Sequence, residues 1–363
     1  MVPVHRSCSC TCPPFGYPWR RSGTTRVSTV VLIGIGRSPA QRVEIAARER
    51  CVRLSVGSAR CLVGQRSHVL AQVRILRGAP VAKRIRSEVQ AATAELEAVA
   101  GVRTTLATVL VGQAPPSAAY REAIARAMGG CGIDHIDVTL PVAATTAMVV
   151  EMIERLNQRA DIHGILLLMP LPAHIHSLEV ISAIDPDKDV DGISPTSVGR
   201  LHLGLPALHP STPLAGLEIL DYYQIPVAGK RAVVVGRGNV VGKPMAALLT
   251  ARDATVTICH TRTAILGDVT READLVVMAA GHQGLLDGTM IRRNATVIDF
   301  GVNVSGGRVF GDADADSIAA VAGAYTPVPG GTTPVTTMAL ARNTVTAAYA
   351  RARHGSSSAG TDG

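Results

Sequence analysis

The chain has 363 residues, enough for about two domains of ordinary size, and its longest apolar run, around "VVLIGIG", falls far short of the roughly 20 residues a membrane helix needs. The formal charge of +8 is misleading, because residues 1–68 hold 11 Arg, no Lys and 2 Glu, which leaves −1 for everything that follows. The body therefore carries no basic signature of a nucleic-acid binder, and neither nucleic acid nor membrane is an expected partner.

Residues 1–68 also contain five of the seven cysteines. "CSCTC" could be a metal site and "WRRSGTTRVSTVVLIGIG" a poor twin-Arg export signal. Yet the cysteines are spaced by one residue, and no second Cys or His pair completes a ligand set. The segment reads better as an unstructured extension, or as sequence upstream of a later start, and no metal is expected. Cys131 and Cys259, alone in the body, suit a reducing, cytoplasmic compartment.

From Val73 onwards the pattern becomes regular. "VAKRIRSEVQAATAELEAVAGV" (81–102) has helical apolar spacing with Gly101 as C-cap. "TTLATVLVG" (104–112) is a buried strand, followed by a "QAPPS" loop and a helix capped by Ser117. "DHIDVTLP" predicts a strand, "TTAMVVEMIERLNQRA" a helix, and "HGILLLMPLP" a strand entering a Pro-bracketed loop. This alternation implies a parallel sheet with helices on both faces. "DPDKDVDGISPTSVGRL" (185–201) is too polar and too punctuated for an element and reads as a loop closing a domain. "TPLAGLEILDYYQI" restarts a helix. Further strand ends follow at "ADLVVMAAG", "ATVIDFGVN" and "AAYTPVPGGTTP", then the amphipathic helix "VTTMALARNTVTAAYARAR" and a polar tail expected to lack structure.

Between the last-but-one helix and these strand ends lies "GKRAVVVGRGNVVGKPMAALLTARDATVTICH", which reads as strand, Gly-rich turn, helix, strand. Gly236, Gly238 and Gly242 let the backbone approach a pyrophosphate at a helix N-terminus. The spacing G-x-G-x-x-x-G is looser than the dinucleotide fingerprint, so alone it fits a plain strand-to-helix turn as well. Two neighbours favour a nucleotide. Arg237 sits in the turn, where a guanidinium can clamp phosphate. The following strand ends in "CHTRT" with no acid to bind ribose hydroxyls, which suits the 2′-phosphate of NADP.

"VGQAPPSAAY", "GILLLMPLP", "DPDKDVDGI", "STPLAG", "GRGNVVGKPMAALL", "ATVTICHTRT", "IDFGVN" and "TPVPGGTTP", in this order, make residues 73–350 resemble the bifunctional methylenetetrahydrofolate dehydrogenase/methenyltetrahydrofolate cyclohydrolases. The resemblance implies an α/β fold of two domains flanking a cleft: a folate-binding catalytic domain over 73–212 and a Rossmann-type NADP-binding domain over 213–335. A C-terminal helix (336–352) would pack back on the first domain, ahead of a tail (353–363). It also implies a homodimer, tetrahydrofolate derivatives as substrates, and two reactions. Hydride transfer to NADP⁺ oxidises 5,10-methylenetetrahydrofolate, and hydrolysis of the methenyl product yields 10-formyltetrahydrofolate.

By the same resemblance Tyr120 stacks on the folate, Asp191 grips the pterin, and Pro170 and Pro172 line that pocket. Gly236, Arg237, Gly238, Thr261 and Val302 contact NADP. Asp191 could otherwise be a loop acid making a turn hydrogen bond.

The departures carry as much information. Ile124 occupies the position of the family's hydrolytic Lys, and Leu168 that of the Gln supporting it. Both members of one polar pair have become aliphatic together, and either left buried alone would cost about 1–3 kcal/mol. Arg121 and Arg126 do not fall on the Tyr120 face of the helix. Gly238 replaces a Ser, and Thr332 and Thr333 replace Val and Gly, so a Thr at a left-handed position would be strained. The expected outcome is a retained dehydrogenase with an impaired cyclohydrolase; the competing reading is a non-catalytic or repurposed folate/NADP-binding relative.

Overall fold

The structure, a computed structural model, describes residues 73–112 and 115–358; the expectations for residues 1–68 and 359–363 lie outside them. The chain enters through a two-residue strand, β1 (Arg74–Ile75), and a long helix, α1 (Gly78–Ala100), which ends at Gly101 with φ 65°. Next come β2 (Thr105–Val111), α2 (Pro115–Gly129), β3 (Asp134–Leu140), α3 (Thr146–Gln158), β4 (Gly164–Leu167) and the short α4 (Ser177–Ser182). The strands form a three-stranded parallel sheet in the order β3-β2-β4.

β2 is buried at every position, as a central strand covered on both faces must be. Val109, Val111, Ile165 and Leu167 face a cluster with Val149 and Ile153 of α3 and Val180 of α4. Strand alternation turns Leu106, Thr108, Leu110, Leu166 and Leu168 to the opposite side. Thr145 caps α3 by accepting from the Met148 N–H.

After α5 (Pro195–Leu203) and α6 (Ser211–Tyr222) a second sheet begins. Its elements are β5 (Arg231–Val235), α7 (Gly242–Thr250), β6 (Thr255–Cys259), α8 (Leu266–Thr270), β7 (Leu275–Met278) and β8 (Thr296–Asp299). A hairpin of β9 (Asn303–Ser305) and β10 (Arg308–Phe310), then α9 (Ala315–Ala319) and β11 (Ala324–Tyr325), complete it. The six-stranded order is β1-β11-β8-β7-β5-β6, every pairing parallel. The last helix, α10 (Thr332–Ser358), packs on α1 and α6. Where the three meet, Glu218 of α6 accepts from Arg84 of α1 at 2.7 Å and from Arg342 of α10 at 2.5 Å.

Four local expectations need correction. α2 begins at Pro115, ahead of Ser117, so Ser117 does not stand at its N-cap. The stretch 185–201 is not all loop, because Ser194 accepts from the Ser197 N–H and starts α5 with Pro195 in its first turn. Residues 74–75, placed by sequence with the first domain, pair instead with β11 in the second sheet. The helix expected over 336–352 runs from Thr332 to Ser358 and takes in part of the expected tail.

The "DPDKDVDG" loop is held at Lys188, Asp189 and Gly192. Lys188, 2 % exposed, donates its three ammonium hydrogens to the carbonyls of Leu156 (3.0 Å), Asn157 (2.7 Å) and Arg159 (2.7 Å) at the C-terminus of α3. Burial, with Arg351 nearby, lowers its pKa to about 8, so it remains a cation at neutral pH, where a helix C-terminus favours one. Asp189 takes the N–H groups of Ile193 and Ser194. Gly192 is left-handed (φ 59°), and a Cβ there would lie 2.6 Å from the Leu208 carbonyl oxygen. Lys188→Met strips three helix-terminal carbonyls of their donor. A stability loss of about 2 kcal/mol is expected, read by urea denaturation; a loss under about 0.5 kcal/mol would mean that water replaces the ammonium without cost.

Candidate functional site

Tyr120 and Ile124 lie four residues apart on one face of α2. Tyr120 is 45 % exposed, whereas Ile124 is 0 % exposed. The hydroxyl end of Tyr120 is crowded: burial, reinforced by the charge of Asp191, pushes its pKa to about 12. Tyr120 therefore stays a neutral hydrogen-bond donor at any working pH. The charge of Asp191, far from Tyr120 in sequence, is thus felt at the tyrosine hydroxyl.

Asp191 accepts from the Ser211 hydroxyl at 2.7 Å. Burial raises its carboxyl to about 6, against the pull of the Ser211 hydrogen bond. Two further contacts fix its orientation. Asn343 of α10, fully buried, donates one amide group to the carbonyls of Val190 and His209, both at 2.8 Å. These are the residue before Asp191 and a residue just ahead of Ser211. Gly192 closes the arrangement by letting the two backbones touch. Asp191 is thus more than a turn-forming acid, since its partner comes from the start of α6 rather than its own loop.

Leu168, 4 % exposed, continues the β4 register by donating its N–H to the Val109 carbonyl at 2.9 Å. Strand alternation turns its side chain to the same sheet face as Leu106, Thr108 and Leu166. Neither Ile124 nor Leu168 offers a polar side-chain atom. Arg121 is committed elsewhere, to Asp137 at 3.0 Å and Thr139 at 2.9 Å on β3, and Arg126 is an exposed residue facing Glu122 at 3.8 Å. Both arginines of α2 are thus paired with acids. Pro170, exposed, and Pro172, half-buried, follow β4 in the loop leaving this region.

The second half of the site lies at the carboxyl ends of β5 to β8. Gly236 follows β5 with φ 127°, and a Cβ there would stand 2.0 Å from the Ala279 carbonyl oxygen; one on Gly242 would stand 2.3 Å from the Gly236 carbonyl oxygen. These two glycines are demanded by backbone-to-backbone contact. Gly238 differs: nothing lies within 4 Å of its Cβ position. With Arg237 exposed beside it and α7 beginning at Gly242, the turn leaves open space before a helix N-terminus. That is the cradle a dinucleotide pyrophosphate requires. Beyond β6, the turn His260–Thr263 is closed by the His260 N–H donating to the Thr263 hydroxyl, leaving Thr261 exposed and no acid at the strand end. The residues present fit NADP. Val302 is 60 % exposed at the carboxyl end of β8.

The expected strain at the Thr pair does not arise. The left-handed backbone falls on Gly330 (φ 96°), and Thr332 and Thr333 form the first turn of α10. The Thr332 hydroxyl donates to the Asp299 carbonyl at 3.2 Å. Sequence reasoning missed Ser211, although it stands first in "STPLAG", and missed Asn343 entirely. Buried polar residues inside amphipathic helices leave no mark in a periodicity.

Residues 76–191 match the family described as tetrahydrofolate dehydrogenase/cyclohydrolase, catalytic domain, and residues 210–352 match its NAD(P)-binding domain. The bifunctional protein FolD of Herpetosiphon aurantiacus is 46 % identical over 279 residues, covering 77 % of this chain and 98 % of that protein. That of a Roseiflexus species is 48 % identical over 275 residues, covering 76 % and 96 %. Among solved structures, the bifunctional FolD of Campylobacter jejuni superimposes with a TM-score of 0.76 at 37 % identity, covering 77 % of this chain and 99 % of that one. The Trypanosoma brucei enzyme, complexed with NADP cofactor and inhibitor, does so with a TM-score of 0.73 at 36 % identity, covering 77 % and 98 %. With both domains matched in order, this chain belongs to the tetrahydrofolate dehydrogenase/cyclohydrolase family.

Proposed function

We propose that the chain is an NADP-dependent methylenetetrahydrofolate dehydrogenase of one-carbon folate metabolism whose cyclohydrolase step is severely impaired. The observation that carries this reading is the pair Ile124 and Leu168, both buried and both aliphatic, with Ile124 one helical turn from Tyr120 on α2.

The two reactions ask different things of the protein. In the first, a hydride leaves the methylene carbon of the folate; NADP, when bound, supplies the acceptor. The chain's part is to hold the two reacting atoms together, which positioning alone accomplishes. Tyr120 offers a ring face and a neutral hydroxyl to the folate. Asp191, oriented by Ser211 and Asn343, offers a carboxylate to the pterin N–H groups. In the second, water adds to the methenyl carbon and the ring opens, so protons must move and developing charge must be stabilised. An isoleucine and a leucine supply neither.

We assign the pterin side to Tyr120, Pro170, Pro172 and Asp191, and the cofactor side to Gly236, Arg237, Gly238, Thr261 and Val302. A homodimer through the nucleotide domains is supported by β6, which is paired on one side only among the described residues and leaves Ile258 40 % exposed; an open parallel edge with apolar exposure favours a partner. The free, buried Cys131 and Cys259 suit a reducing cytoplasmic setting.

Incubated with NADP⁺ and methylenetetrahydrofolate, the protein is expected to form NADPH and accumulate the methenyl product, followed by the absorbances of both. Hydrolysis should lie about 10²- to 10⁴-fold below what a positioned acid–base group provides, and the Ile124→Lys plus Leu168→Gln double variant should regain part of it. Rapid formation of 10-formyltetrahydrofolate by the parent protein would defeat the impairment. Tight folate binding with no NADPH would favour the non-catalytic reading.

Asp191 sets the pH response. Its folded carboxyl titrates near 6 instead of its ordinary 3.8, so the ionised form that grips the pterin is lost as pH falls through about 6. Below that value kcat/KM for the folate should fall about tenfold per pH unit. Because the Ser211 hydrogen bond lowers this pKa, Ser211→Ala should start the fall at higher pH. A profile flat down to pH 5 in both proteins would remove Asp191 from substrate binding. The same raised pKa works against stability as pH rises from 3.8 towards 6, since the fold favours the protonated form.

A further inference from the structure

Outside the residues assigned above, the most heavily bonded side chain near the cofactor cradle is Asp312, between β10 and α9. It is 0 % exposed. Its Oδ2 accepts from the backbone N–H groups of Ala280 (2.7 Å) and Gly281 (2.9 Å). Its Oδ1 accepts from the His282 N–H and the Asn303 side-chain amide, both at 2.9 Å. Three successive backbone N–H groups converging on one carboxylate form a nest, a geometry that ordinarily receives an anion from outside. Here the protein fills it with its own carboxylate, and Gly281, at φ 65°, makes the turn possible.

A second carboxylate works alongside. Asp299, the last residue of β8, accepts from the N–H groups of Gly301 at 2.7 Å and Asp312 at 3.2 Å through Oδ1, and from the Ala313 N–H at 2.9 Å through Oδ2. The fit tolerates no side chain at residue 301, where a Cβ would lie 2.4 Å from the Asp312 Oδ1. Between them the two carboxylates pin both neighbours of Val302: Gly301 to Asp299 and Asn303 to Asp312. Val302 itself is left projecting, 60 % exposed. The pinned turn after β7 is also the one against which the Gly-rich turn rests, since Gly236 meets the Ala279 carbonyl with no room for a Cβ.

Strand order says which part of the cofactor these turns face. The sheet runs β8-β7-β5-β6, with the phosphate turn after β5 and the acid-free adenosine end after β6. A dinucleotide lying across the carboxyl edge of such a sheet places its other half over β7 and β8. We propose that Asp312 is a positioning residue for the nicotinamide half of NADP: its carboxylate locks the 280–282 turn and, through Asn303, the 301–303 turn, so that Val302 and the Gly236 turn present a fixed surface to the reacting ring. The proposal rests on the assignment of NADP to the second domain.

The test uses the full chain, with Asp312→Asn and the milder Asn303→Ala, which removes only the link to the 301–303 turn. Two probes divide the site: NADPH, titrated by its fluorescence, and adenosine 2′,5′-bisphosphate, the adenine half alone, by calorimetry. Asp312→Asn should weaken NADPH binding by about 10- to 100-fold, the scale of one or two lost charge-assisted hydrogen bonds, and Asn303→Ala by about 3- to 10-fold. Adenosine 2′,5′-bisphosphate should bind both variants within about twofold of the parent, and in turnover kcat should fall while the KM for the folate stays put. If Asp312→Asn does not fold, Asn303→Ala decides. NADPH affinity unchanged in the folded variants overturns the proposal, as does parallel weakening of both probes, which would mark a merely structural carboxylate. A parent protein that binds neither probe would instead remove the cofactor assignment on which the proposal stands.

Discussion

One buried amide governs the folate side of this protein. Asn343 sits on α10 with no exposure and spends its donor group on two carbonyls, Val190 and His209, that belong to separate segments. Without it, the loop carrying Asp191 and the segment carrying Ser211 would each have to satisfy a buried carbonyl alone, at about 1–3 kcal/mol apiece. With it, they are held close enough for the Ser211 hydroxyl to reach Asp191 at 2.7 Å. The helix that supplies Asn343 is seated by its apolar face on α1 and α6 and by Glu218 gripping Arg84 and Arg342. The chemistry at Asp191 is therefore set by a helix more than a hundred residues away along the chain.

The cofactor side follows the same logic with the opposite polarity. On the folate side one donor gathers two acceptors; at the carboxyl ends of β7 and β8 one acceptor, Asp312, gathers four donors. In both places an irregular segment that must present an accurate surface carries backbone groups that cannot all pair within a ladder. A buried polar side chain that pairs several of those backbone groups at once holds such a segment firmly. Both side chains lie on the C-terminal side of the elements they brace, so each half of the site is completed late in the chain.

Much of this was legible in the sequence because it depends on local periodicity and turn chemistry. The strand β2, the helices α1 and α3, the Gly101 cap and the strand-turn-helix around Gly236 all follow from spacing. Helical spacing likewise places Ile124 on the face of Tyr120. The start of α5 was missed because its cap, Ser194, was submerged in a polar stretch. The membership of β1 in the second sheet was missed because a two-residue strand has no period to detect, and its partner β11 comes about 250 residues later.

The sequence by itself determined the identities that local physics can use: which residues alternate and which glycines the turns demand. Only the tertiary structure decided which buried polar groups meet. Ser211 with Asp191, Asn343 with two carbonyls, Lys188 with the end of α3 and Asp312 with three successive amides are all contacts across long sequence separations. A hydrogen bond depends on distance and direction in space, to within a few tenths of an ångström. No one-dimensional spacing encodes that, and the fold creates it only when the two sheets and the closing helix have packed.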